Sequence, residues 1–267
     1  MPCSVLNFRW IWFSCVLASC LGAGALLWQS AQGELSPRER VGLFHLRSEQ
    51  PLDDETGQAV LREMAQVRID VDRRLGLPYN SRPLEANLFA SRESFAAYAS
   101  QHVSRVQDRT AIYVKDHDAG RVILYQHPDF LTDLRHECTH AVLHNAIPWL
   151  PLWLDEGLAE YFEVPGGERR HGHPHLTQTR ARLKTGWVPS LENLENMHAL
   201  EKMSGDDYQE SWAWTHFLLN GPVSVRQVYD QFIMELQSGR PVGQLSDRLR
   251  GIEPEFETAL IQHFENW

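Results

Sequence analysis

His136-Glu137-Cys138-Thr139-His140 and, downstream of it, Trp153-Leu154-Asp155-Glu156-Gly157-Leu158-Ala159-Glu160-Tyr161 are the stretches that decide how this chain reads. Residues four apart on an α-helix are offset by only about 40°. His136 and His140 therefore project from one face, one turn apart, and can grip a single ion. Glu137 is rotated from His136 by about 100°, beside the pair rather than between them. Pro148 and Pro151 lie between the two stretches. They break the helical pattern and let a second helix fold back against the first. Glu156 on that second helix is the best-placed third ligand. Gly157 beside it removes a side chain where helices must approach. Glu160 lies one turn further on the same face, where it can accept a hydrogen bond from the outer nitrogen of His136 or His140 and fix the tautomer. Two imidazoles, a carboxylate as third ligand and an open position are what one catalytic Zn2+ ion requires. Glu137 is then placed to act as general base toward water.

Working outward, the zinc helix is expected over about Phe130 to His144 and its partner over about Leu152 to Glu163. Upstream, Val41 to Leu46 and Leu84 to Ala90 read as strands, and Thr110 to Val114 with Arg121 to Tyr125 as a further pair. Val60, Met64, Val67 and Val71 recur at helical spacing, predicting a helix over Asp54 to Leu75 that ends at Gly76 and Pro78. Ser91 is a candidate helix cap. Downstream, helices are expected at 174–184, 207–219, 223–237 and 254–266. The expected fold class is α+β: a small mixed strand/helix lobe at 34–127, then a mainly helical lobe at 128–267 that carries the H-E-x-x-H helix. No linker long enough to separate the lobes is visible, so 34–267 reads as a single domain.

The chain has 267 residues and a formal net charge of -10, with no long basic cluster. Nucleic acid is therefore not an expected partner. Three of the four cysteines, Cys3, Cys15 and Cys20, lie in the first twenty residues, leaving Cys138 alone in the body. Cys138 stands about 160° round the helix from His140 and is expected to face the core. The segment 1–33 reads as a signal peptide or membrane anchor. Arg9 precedes the uncharged, largely apolar stretch Trp10 to Trp28, which allows a cleavable signal ending near Ala23-Gly24-Ala25 or an uncleaved span. Leu17-Ala18-Ser19-Cys20 also resembles a lipobox. Each alternative exports the body, so an extracytoplasmic, membrane-associated protein is expected.

The stretch from about Tyr125 to Leu219 resembles the gluzincin metallopeptidases, the thermolysin-like group whose third ligand is a glutamate. The segment 136–140 is similar to that family's zinc helix. Leu154-Asp155-Glu156-Gly157-Leu158-Ala159 resembles the N-E-G-F-A segment of aminopeptidase N relatives, which implies Glu156 as third ligand. Tyr208-Gln209-Glu210-Ser211-Trp212-Ala213 is similar to a later helix bearing a tyrosine, which implies that Tyr208 stabilises the oxyanion. The resemblance also implies that 121–125 is an edge strand to which an extended peptide adds. The chain departs from the large aminopeptidases in the short spacing of fifteen residues between His140 and Glu156, and it has no G-x-M-E-N segment.

The resulting expectation is a zinc-dependent peptidase acting on peptide or protein substrates. Two alternatives stand beside it: an inactive gluzincin-fold binding domain, and a zinc amidase acting on cell-wall material. His216 is a reserve catalytic candidate that otherwise belongs to a helix core. His171, His173 and His175 are expected in a solvated loop that could rim the cleft, rather than at a second metal. Trp149, Trp153, Trp212 and Trp214 are expected to pack in the core.

Overall fold

The computed structural model describes residues 35, 39–103, 106–107, 109–115 and 120–267. These lie within one unit running from Gln32 to Trp267. The apolar stretch from Trp10 to Trp28, with Cys20, lies outside the described residues. Among the described residues no helix is long and apolar enough to cross a membrane.

The first half of the chain builds a five-stranded sheet. Its strands are β1 (Glu39–Val41), β2 (Phe44–Ser48), β3 (Leu84–Phe89), β4 (Ala111–Lys115) and β5 (Gly120–Tyr125), in the order β1-β2-β3-β5-β4. Hairpin partners β1–β2 and β4–β5 are antiparallel, while β2–β3 and β3–β5 are parallel. Helix α1 (Asp54–Leu75) makes the first crossover and α2 (Arg92–Ala99) the second. Asp53 caps α1 through the Thr56 amide, and Gly76, at φ 63°, closes it in the left-handed conformation that glycine adopts without strain. Ser91 caps α2 through the Ser94 amide, as its position in the sequence suggested. β3 is buried along its whole length, because helices cover both faces of the sheet.

Sheet position corrects one expectation. The strand 121–125 is internal, hydrogen-bonded to β3 on one side and β4 on the other. The edge of the sheet beside the site is β4. A strand's place in a sheet depends on pairings distant in sequence, which local alternation does not encode.

The second half is helical: α3 (Phe130–Ala146), α4 (Leu152–Phe162), α5 (Pro174–Lys184), α6 (Leu191–Glu195), α7 (Gly205–Asn220), α8 (Val223–Gln237), α9 (Leu245–Arg250) and α10 (Phe256–Asn266). The fold is thus α+β, a small mixed sheet lobe followed by a helical lobe. One apolar core runs through both, from Leu46 and Val67 through Leu134 and Leu158 to Phe217 and Phe264. A smaller cluster under α2, centred on Phe89 and Phe95, covers the other face of the sheet.

Helix α3 lies against α1, β4 and β5. Its inward stripe is Leu134, Cys138, Ala141 and Leu143, all buried. Cys138 faces the core as expected, and burial pushes its thiol well above the ordinary range. Arg135, also buried, ties three helices together. It donates to the carbonyl oxygens of Phe162 at 3.1 and 3.2 Å and of Val164 at 3.1 Å, and it pairs with Glu63 and Asp70 of α1. These bonds satisfy carbonyls that α4 leaves open at its C-terminus. They also fix where the last turn of α4 sits relative to α3.

Gly157 marks a close approach, but to a different partner from the one expected. A Cβ there would lie 2.4 Å from the Ser211 carbonyl oxygen and 2.5 Å from Thr215 Oγ1. The tight contact is therefore between α4 and α7, and it brings the first turn of α7 toward the face of α4 that carries Glu156.

Candidate metal centre

Helix α3 presents His136, Glu137, His140 and His144 on the side away from its core stripe. Across the break at 147–151, α4 presents Asp155, Glu156 and Glu160, and its C-cap residue is Glu163. The Nε2 atoms of His136 and His140 are 3.3 Å apart, and Glu156 Oε2 is 3.6 Å from each. His136, His140 and Glu156 thus converge on one point, within reach of a single cation. Bonds of about 2.0–2.2 Å in a tetrahedral arrangement space their donor atoms by roughly 3.3–3.6 Å. The donor set, two imidazoles and a carboxylate, also matches zinc in chemistry. The residues therefore fit a divalent cation with one position left open.

The outer nitrogens are held by carboxylates. His140 Nδ1 donates to Asp155 Oδ1 at 2.9 Å, and His136 Nδ1 to Glu163 Oε2 at 3.2 Å. Asp155 also takes a bond of 2.7 Å from His144 Nε2. This arrangement fixes both tautomers with Nε2 turned inward. It also sets the charges in the absence of a cation. Burial opposes protonation of His140, but Asp155 and Glu156 outweigh it and raise its pKa to about 10. His136 is likewise raised well above its ordinary value against burial, chiefly by its bonds to Glu156 and Glu163. Glu156 is held at about 2, burial being outweighed by the two histidines.

Glu160 accepts no hydrogen bond from His136 or His140, whose Nδ1 atoms pair with Glu163 and Asp155. The Glu160 carboxylate accepts from His175 Nε2 at 2.9 Å instead. Helical offset leaves both carboxylates near the face of Glu156, and tertiary placement decides between them. Glu163, seven residues beyond Glu156, returns to within about 20° of its direction, and Glu160 is offset by about 40°. The start of α5 then delivers His175 to Glu160. The expectation of a solvated histidine loop holds for His171, which is exposed, and fails for His173 and His175. His173 is buried, stacks on Trp212 and donates from Nε2 to the Glu160 carbonyl at 2.8 Å. Burial lowers its pKa to about 4, so it is a neutral structural residue. Neither His173 nor His175 belongs to a metal-binding cluster among the described residues.

Two cavities adjoin the convergence point. One of about 180 Å³ is lined by His136, Glu137, His140, Glu156 and Tyr208. The other, of about 390 Å³, is lined by Glu137, Glu160, Glu163, Tyr208 and residues 109–111 at the start of β4. Glu137 and Tyr208 therefore face shared space beside the histidines. Burial raises the Glu137 pKa, partly offset by His140 and His136. Tyr208 sits in the first turn of α7, behind a capping box made by Ser204 and Asp207. Burial, and then the charges of Glu156, Glu160 and Glu137, push its phenol up, keeping it a hydrogen-bond donor.

His216, the reserve candidate, is buried against Trp212 and Phe264, and its Nδ1 lies 3.0 Å from His263 Nε2. It lines neither cavity. Trp153, Trp212 and Trp214 are core residues as expected, but Trp149 is 61% exposed. Asp155, Glu163 and Arg109 were not among the residues expected at the site. Asp155 directly precedes Glu156, and Glu163 is two turns along its face, so both carried a positional signal. Arg109 lines both cavities, and its charge acts on Glu137 and Tyr208. It stands in a loop with no pattern of its own.

No family model matches the chain, and no curated protein matches it. Among solved structures it is similar to a crystal structure of an M1 zinc metallopeptidase from Deinococcus radiodurans. The identity is 17% and the TM-score 0.45, over 85% of this chain and 50% of that one. The chain thus spans about half the length of that protein.

Proposed function

We propose that this protein is a zinc-dependent peptidase, with His136, His140 and Glu156 holding the ion. The observation that carries the proposal is the meeting of these three donors beside a cavity that Glu137 and Tyr208 also line. A zinc ion bound there supplies Lewis acidity, bringing the pKa of water to about 7 and polarising a carbonyl. Glu137, buried but flanked by two imidazoles, takes the proton from the attacking water and passes it to the departing amine nitrogen. Tyr208 donates a hydrogen bond to the carbonyl oxygen as negative charge develops. Asp155 and Glu163 hold the imidazoles in register. The β4 edge, which opens on the larger cavity, offers backbone groups for an extended peptide to pair with. We further propose that the body works outside the cytoplasm, tethered through Trp10 to Trp28, and that its partners are peptides or proteins rather than nucleic acid.

Glu137→Gln tests this reading. The variant should retain stoichiometric zinc while hydrolysis of a broad peptide library falls by at least a hundredfold. Unchanged turnover would remove the proposed base. Zinc binding without turnover in the unaltered protein would favour a binding domain. Chelator-sensitive release from cell-wall material, and none from peptides, would favour an amidase.

A further inference from the structure

A cavity of about 780 Å³ shares α4 with the metal centre but none of its ligands. Arg73, Arg74, Arg169, Arg170 and Arg226 line it, with Asp70 and Asp230, for a net charge of +3 in a chain whose formal charge is -10. Asp70 pairs with Arg169 at 2.5 Å and Asp230 with Arg226 at 2.6 Å. Arg73, Arg74 and Arg170 are left without a carboxylate partner among the described residues. Helix capping accounts for part of the cluster. Arg74 donates to the Leu219 carbonyl and to Asn220 Oδ1 at 3.1 Å, and Arg226 donates to the carbonyls of Leu219 at 3.3 Å and Arg74 at 2.7 Å. It does not account for Arg73, which is exposed, or for Arg170, which stacks over Trp267. Burial, joined by the charges of Arg226 and Arg170, holds the Arg74 guanidinium below its ordinary value.

We propose that this cavity binds an anion bearing at least two phosphate-type charges. Guanidinium groups present planar forks that match phosphate oxygens and lose little hydration on pairing. The cavity falls within the range of small-molecule sites. The phosphate could belong to a soluble molecule or to a lipid headgroup, and the test separates the two.

The full chain is titrated calorimetrically with inorganic pyrophosphate, with sulfate at matched ionic strength, and with cardiolipin vesicles, whose headgroup carries two phosphates, against phosphatidylcholine ones. Saturable binding of pyrophosphate, at least tenfold tighter than sulfate, is expected for a soluble ligand. Saturable binding confined to the anionic vesicles is expected for a headgroup. Either should weaken at least tenfold in Arg73→Gln/Arg170→Gln and in Arg73→Gln alone, which breaks no hydrogen bond of the fold. Arg62→Gln, on α1 but away from the cavity, should bind as the unaltered chain does. No saturable binding in any arm, an equal response to sulfate, or binding unchanged in both arginine variants would overturn the proposal.

Discussion

Replacing Asp155 by asparagine removes one negative charge and leaves His136, His140 and Glu156, the proposed zinc ligands, unchanged. Asp155 accepts from His140 Nδ1 at 2.9 Å and from His144 Nε2 at 2.7 Å, with only 14% of its side chain exposed. Its carboxyl is held well below the usual carboxylate range, because the bonds and charges of His140 and His144 outweigh burial. Loss of such a partner to a metal-binding imidazole weakens zinc affinity by about 10–100-fold, or roughly 1.4–2.7 kcal/mol. Two short charge-assisted bonds in a buried setting place Asp155→Asn toward the upper end of that range. Glu163→Gln, acting on His136 across 3.2 Å, should fall toward the lower end. The assay is competition for zinc against a chelating dye at fixed pH, with thermal melts to confirm that both variants fold. Affinity within twofold of the unaltered protein for Asp155→Asn, or a larger loss for Glu163→Gln, would refute the assignment of these carboxylates.

Three further outcomes are expected. Gly157→Ala forces a methyl group against the Ser211 carbonyl and should cost about 1–3 kcal/mol, measured by urea denaturation. In the metal-free protein, His140 has its folded pKa raised to about 10, above the unfolded value near 6.5. Its contribution is thus fully present below about pH 6.5 and lost as pH rises toward 10, so EDTA-treated protein should lose stability across that window while zinc-loaded protein loses less. Arg109→Ala should raise KM for peptides more than it lowers kcat, because Arg109 lines both cavities yet holds no ligand atom; an unchanged KM would place it outside the substrate cleft.

The legible parts of the chain were those governed by local periodicity. Helix α1, with its apolar stripe at three- and four-residue spacing, runs over the predicted span Asp54 to Leu75. The same holds for α5 and α8, whose starts are marked by Pro174 and by Gly221-Pro222. The pairing of His136 with His140 and the reach of Glu156 followed from helical offset and a proline break. Short α6 and α9 escaped notice because fewer than two turns show no period. The internal place of the strand 121–125 depends on β3, more than thirty residues upstream. The role given to Glu160 failed on a subtler ground. Its offset along α4 was sound, but which carboxylate meets which imidazole depends on where Arg135 anchors the end of α4 and where α5 begins. Those are tertiary facts, set by contacts that no window of sequence contains.

Anomalous diffraction at the zinc absorption edge, from crystals of the zinc-loaded protein, tests the central claim most directly. One peak is expected, within about 2.0–2.2 Å of His136 Nε2, His140 Nε2 and a Glu156 carboxylate oxygen, in the cavity that Glu137 and Tyr208 share. A peak at another cluster, or a peak bound by the two imidazoles with Glu156 turned away, would contradict that claim.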